Sequence, residues 1–239
     1  MIVIDKKRIL MLILGMFCFT VLMIANVRSV EETVMTSATP VASKVIVLDA
    51  GHGKPDEGAE GVSGTTEEKT TLEITLKLQK LLEESGATVI LTRSDENGIY
   101  DTDKNGSIRE MKVSDIKNRV KIGNESSADI FVSIHLNKGE NSSYYGWQTF
   151  YKSKSEGGKR LATAIQDELK NTINSENKRT AHEISKIYLV DHVEIPMTIV
   201  ECGFLSNPEE ERKLLTEDYQ NQIAFGIYLG ISDYFHEEF

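Results

Sequence analysis

The chain has 239 residues, 40% of them hydrophobic and 27% charged, with 27 Lys plus Arg against 37 Asp plus Glu for a formal net charge of -10. That balance excludes disordered and fibrous classes, and it excludes nucleic-acid binding, which needs clustered Lys and Arg. Two cysteines, Cys18 and Cys202, cannot build a disulfide framework.

The N-terminus opens with Lys6, Lys7 and Arg8, then runs from Ile9 to Ala25 without a charge. A basic start followed by an apolar run is the pattern of an export signal. Its length lies between a cleaved signal and an uncleaved anchor, since a membrane-spanning helix takes about 17–25 residues. Either way the basic end stays cytoplasmic and the remainder is exported. Residues 1–30 are therefore read as a signal peptide or membrane anchor attached through residues 9–25. Without them the chain keeps 23 basic and 36 acidic residues, a net of -13. Residues 31–43, rich in Thr, Ser and Ala, read as a stalk.

From residue 44 onward strand and helix patterns alternate. Lys44 to Leu48 is a near-continuous apolar run, the mark of a buried strand, and it breaks at the glycine-bearing turn Asp49-Ala-Gly-His-Gly53. Thr70 to Glu84 has leucines near helical spacing with Gly86 as its stop. Residues 87–92 read as a second strand, 113–123 as a helix, 128–134 as a third strand and 146–151 as a fourth. Glu156 to Ile173 has helical periodicity, Ile187 to Val190 reads as a brief strand, and 196–200 as another. Two helices, about 208–216 and 218–235, close the chain. This alternation predicts a single α/β domain over residues 44–239, a mixed, mostly parallel sheet with helices on both faces. Residues 94–112 form a long polar stretch placed to frame a substrate groove.

Polar groups stand where such a sheet binds its ligands, beyond the carboxyl ends of the strands. His52 follows the first strand, His135 ends the third, Glu201 ends the last, and Glu68 heads the first helix. Two histidines and a carboxylate form the usual ligand set of a catalytic zinc; a further carboxylate is then needed to carry protons. Glu201, after Pro196-Met-Thr-Ile-Val200, is a carboxylate in an apolar setting, which is costly without a partner.

Val45-Ile-Val-Leu-Asp-Ala-Gly-His-Gly53 with Asp56-Glu-Gly-Ala59, then Glu68-Lys69, Phe131-Val-Ser-Ile-His-Leu-Asn137 and Ile199-Val-Glu-Cys-Gly-Phe-Leu-Ser-Asn207 resemble the zinc-dependent N-acetylmuramoyl-L-alanine amidases of the amidase-3 family. Thr92-Arg93 and the helix bearing Arg119 also look like family features. The resemblance covers residues 44–236. It implies an amidase-3 fold like that of zinc exopeptidases, one zinc ion, and hydrolysis of the amide between N-acetylmuramic acid and L-alanine in peptidoglycan. It further implies that His52, Glu68 and His135 bind the zinc and that Glu201 is the catalytic carboxylate. Glu68 is chosen over Glu67 because the family's glutamate precedes a lysine. Ala50 and Lys54 replace the proline and second glycine usual in the first motif. A lone catalytic domain without wall-binding repeats is similar to the sporulation amidases of the family. That implies spore-cortex peptidoglycan as substrate, where removal of stem peptides precedes muramic-δ-lactam formation, and a place in the forespore intermembrane space. An accessory protein or a homodimer is left open.

Other residues are weighed against this set. Cys202 adjoins Glu201, but strand alternation turns neighbouring side chains to opposite faces, so it is expected as a buried thiol rather than a nucleophile. His182, His192 and His236 are expected at the surface. Trp147, Tyr144 and Tyr145 are read either as sugar-stacking groups or as ordinary core and surface aromatics. The competing functions are a non-catalytic wall-binding protein and a zinc peptidase or deacetylase acting on the same polymer.

Overall fold

The computed structural model describes residues 15–21, 23, 39–101, 106–173 and 176–236. It divides into two units, Met1–Thr39 and Pro40–Phe239. In the first, residues 15–21 and 23 are helical and exposed. The rest of the Ile9 to Ala25 run lies outside the described residues, as does the stalk up to residue 38. Among the described residues no helix is long and apolar enough to cross a membrane. The last stalk residues belong to the second unit, whose first turn buries Val41 completely and ties Ser43 N to Gly86 O at 2.9 Å.

In that unit the strands are β1 (Val45–Ala50), β2 (Thr88–Leu91), β3 (Ile130–Asn137), β4 (Gln148–Lys152), β5 (His182–Ile184) and β6 (Met197–Phe204). They form one sheet in the order β2-β1-β3-β6-β4-β5. β2, β1, β3 and β6 run parallel, while β4 pairs antiparallel to β6 and parallel to β5. The helices are α1 (Glu67–Glu84), α2 (Ile108–Glu125), α3 (Glu156–Ile173), α4 (Tyr188–His192), α5 (Pro208–Leu214) and α6 (Glu217–His236).

The apolar runs of β1, β3 and β6 follow from burial on both faces. On one face Ile46, Leu48, Ile130, Val132, Ile134, Val200 and Cys202 pack against leucines and isoleucines of α1, α3 and α6. On the other, Val47, Phe131, Met197 and Ile199 pack against α4 and the apolar side of α2. α1 begins three residues before Thr70, where the helix is expected to start, because Thr-Glu-Glu supplies a favourable acidic first turn without apolar signal. α2 likewise starts at Ile108, behind a capping box in which Ser107 and Glu110 satisfy each other's backbone amides. The last five residues of the stretch read as loop, 108–112, are therefore helix.

One element differs in kind. Ile187 to Val190, expected as a strand, is the start of α4, with Leu189 and Val190 buried side by side rather than alternately. A short apolar run has no period of its own. The edge strand there is His182–Ile184, in which His182 and Glu183 are exposed and a single apolar residue, Ile184, is half-buried, too little for a strand signature. β3 and β6 run on past the predicted ends, so His135 and Glu201 lie within strands.

Candidate metal centre

β1, β3 and β6 deliver His52, His135 and Glu201 to one edge of the sheet. His135 and Glu201 are direct partners across the β3–β6 ladder, and Gln148 of β4 stands opposite Glu201 on its other side. Ile199 faces the α2–α4 side, while Val200 and Cys202 face α1, α3 and α6. Alternation thus turns Glu201 away from the fully buried Cys202, and burial raises the pKa of that thiol well above its usual value.

The chain leaves β1 through Gly51 and turns at His52, which has φ 62, a left-handed conformation that a non-glycine residue adopts at a cost. Gly51 is required by a close approach. A Cβ there would stand 2.3–2.6 Å from three atoms of the His135 ring. The two imidazoles consequently meet edge to face, with centroids 5.1 Å apart.

The carboxylate between them belongs to Glu67. Its oxygens lie 3.2 Å from His52 Nε2 and 3.0 Å from His135 Nδ1, and they also accept from Ala59 N and Leu136 N at 2.9 Å. Ligand atoms of His52, Glu67 and His135 all fall within 4.8 Å of one another. The expectation of Glu68 gives way here. One residue further along α1, a turn of about 100° carries its side chain off this edge. The Glu68 carboxylate is buried, and its Oε2 has no hydrogen-bond partner among the described residues. The lysine rule could not resolve two adjacent glutamates at a helix start.

Asp56, which sequence reasoning left without a role, accepts from His52 Nδ1 at 3.1 Å and pairs with Lys112 at 2.7 Å. A carboxylate on the far nitrogen fixes the tautomer and orientation of a ligating imidazole. Burial opposes charge on His52, but its bonds to Asp56 and Glu67 win and raise its pKa to about 9. Glu67, despite burial, is held well below the usual carboxylate range by His135 and His52. Burial pushes Glu201 the other way, up to about 7, with the histidines opposing and Glu67 adding to the rise. Its Oε2 has no hydrogen-bond partner among the described residues.

Beneath the turn lies a buried charge network. Asp49, fully buried, accepts from Arg119 Nη1 at 2.6 Å, Thr92 Oγ1 at 2.7 Å and Ser133 Oγ at 2.6 Å. Arg119 also bonds Ala50 O at 2.7 Å, His52 O and, through Nε at 2.6 Å, Asp115. The left-handed turn is thereby gripped by its own carbonyls.

A match to the family model described as N-acetylmuramoyl-L-alanine amidase spans residues 46–233. The chain belongs to the N-acetylmuramoyl-L-alanine amidases. It is 39% identical over 199 residues to the germination-specific N-acetylmuramoyl-L-alanine amidase of Bacillus subtilis, covering 83% of each chain. Among solved structures it is similar to the CwlD amidase from Clostridioides difficile in complex with the GerS lipoprotein, at 44% identity and a TM-score of 0.80, covering 82% of this chain and all of that one. An N-acetylmuramoyl-L-alanine amidase from Clostridium difficile matches at 30% identity and a TM-score of 0.71, over 82% of this chain and 99% of that one. The amidase thus has a single α/β catalytic domain carried by the six-stranded sheet, as expected.

The remaining singled-out residues lie away from this centre. His182 is exposed on β5, His192 stacks on Tyr188 at 3.9 Å between centroids, and His236 is exposed at the end of α6. Trp147 is a core residue, 1% exposed, which removes it from sugar stacking. Tyr144 and Tyr145 remain exposed.

Proposed function

We propose that the amidase is a zinc enzyme in which His52, Glu67 and His135 hold the ion and Glu201 handles the proton. The observation that carries this reading is the convergence of two imidazoles and one anionic carboxylate on one edge of the sheet, with a second carboxylate, Glu201, across the ladder from His135. The donor chemistry fits zinc: nitrogen and oxygen ligands, three from the protein, as in catalytic sites that keep one position open. When bound, the ion lowers the pKa of a water molecule towards about 7 and polarises the scissile carbonyl.

The chain's own residues do the rest. Asp56 and the amides of Ala59 and Leu136 hold His52 and Glu67 in place. Glu201, free at Oε2, takes the proton of the attacking water and delivers it to the alanine nitrogen as the amide breaks. A carboxyl poised by burial near pH 7 suits both halves of that transfer. In this reading His52, His135 and Glu201 have the roles expected of them, and Glu67 takes the place of Glu68.

The substrate we propose is spore-cortex peptidoglycan, acted on outside the cytoplasmic membrane after export through residues 1–30. The likeness to a germination-specific amidase supports the cortex. The likeness to an amidase solved with a lipoprotein supports a lipoprotein as accessory partner. Mass spectrometry of digested cortex tests the activity. Release of intact peptides headed by L-alanine is expected from the wild type, and Glu201→Gln should retain zinc while losing about 10²–10⁴ in rate. Shortened peptides would turn the reading to a peptidase. Full activity in the Gln variant would refute the role of Glu201.

A further inference from the structure

We propose that Arg93 is a positioning residue that sets the spacing between the two arms of the metal centre. It follows β2, well removed in sequence from every ligand, and is 4% exposed. Nε donates to Ala50 O at 2.9 Å and Nη2 to Gly51 O at 2.9 Å, both in the segment that carries His52. The same Nη2 donates to Glu68 O at 2.7 Å, in the first turn of α1 that carries Glu67. Nη1 goes to Asp95 O at 2.7 Å. One planar group therefore bonds the end of β1 and the start of α1 together. Thr71 completes the joint, its hydroxyl lying 3.0 Å from Gly51 O and 3.1 Å from Glu68 O.

Two features separate this from ordinary core stabilisation. Among the described residues no carboxylate forms an ion pair with Arg93, and all of its donors go to backbone carbonyls or to Thr71. Moreover, three of the four bonded carbonyls, those of Ala50, Gly51 and Glu68, lie within two residues of His52 or Glu67, so what the guanidinium fixes is the His52-to-Glu67 geometry. Lysine carries a compact charge on a flexible stem and cannot reproduce a rigid fork aimed at four carbonyls.

The inference rests on the reading of His52, Glu67 and His135 as zinc ligands, and the test separates the two. Zinc affinity of the full chain is measured by competition with a chromophoric chelator for wild type, Arg93→Lys and Thr71→Val. Thermal unfolding of the metal-free proteins runs alongside, together with the visible spectrum after cobalt(II) loading. Arg93→Lys should bind zinc about 10–100-fold more weakly, the loss typical when a ligand's support is removed, and its cobalt spectrum should shift. Thr71→Val should weaken zinc several-fold, roughly as one lost supporting bond predicts, and gives the same readout should the Arg93 variant not fold. Wild-type affinity and an unshifted cobalt spectrum in the folded variants, whatever their melting temperatures, would overturn the positioning role. A wild-type chain that binds no zinc would instead overturn the metal reading, and this inference with it.

Discussion

Replacing Asp49 by Asn keeps the shape of a side chain that has no exposure to solvent and removes only its charge. Three donors lose an anionic acceptor, and the Arg119 guanidinium, 2% exposed, is left with Asp115 as its one carboxylate partner among the described residues. Removing one member of a buried pair costs about 3–5 kcal/mol. Because Asp115 remains, the lower end applies, about 3 kcal/mol. For a domain of this size each kcal/mol moves the melting temperature by about 2–4 °C, so Asp49→Asn should melt about 6–12 °C below wild type at pH 7. The effect has a signed pH dependence. Burial would raise the pKa of Asp49, but Arg119, Ser133 and Thr92 override it, and the folded value lies below the usual one. Its contribution is therefore complete above the unfolded value of about 3.9 and is lost as pH falls below that, by about 1.4 kcal/mol per unit. Thermal melts followed by circular dichroism from pH 7 to pH 3 should show the two proteins converging on the acid side. Equal melting temperatures at pH 7, or a gap that does not narrow with acid, would refute the reasoning.

Glu67→Gln should weaken zinc binding by more than about 100-fold, beyond what loss of a supporting group costs, whereas Glu68→Gln should stay within about tenfold of wild type. The reverse order in a chelator competition would restore the assignment read from the lysine rule. Gly51→Ala drives a methyl group into the His135 ring, so it should lose zinc and activity together while circular dichroism still reports a folded domain. Wild-type zinc content would show that the ring has room to move. Cys202→Ser, on the face away from Glu201, should retain most of the hydrolytic rate. Abolished turnover in a folded, zinc-loaded variant would return the thiol to the chemistry.

The positions of His52, His135 and Glu201 were legible because a polar residue at the close of an apolar strand has few structural reasons to be there. The fold class was legible from the same runs. The choice between Glu67 and Glu68 was not. It depends on the rotational phase of α1, which the amides of Ala59 and Leu136 set from outside the helix. Asp49 read as part of a motif, yet its partners lie 43, 70 and 84 residues away. No local pattern announces a pairing across β1, α2 and β3. The misreading at Ile187 to Val190 has a similar cause. Four apolar residues fit either period, and the contact with Phe131 and Met197 that decides between them is tertiary.

Glu201 sits in the body of β6, laddered to β3 on one side and β4 on the other. Backbone amides in a strand enclosed this way exchange with solvent only when the whole domain opens, whereas rim segments such as 94–101 can open on their own. The carboxylate proposed to carry the proton is thus mounted on the last part of the molecule to come apart. Hydrolytic competence should track global melting and not fade ahead of it, and breathing of the rim should alter how polymer enters without disturbing the Glu201 carboxylate.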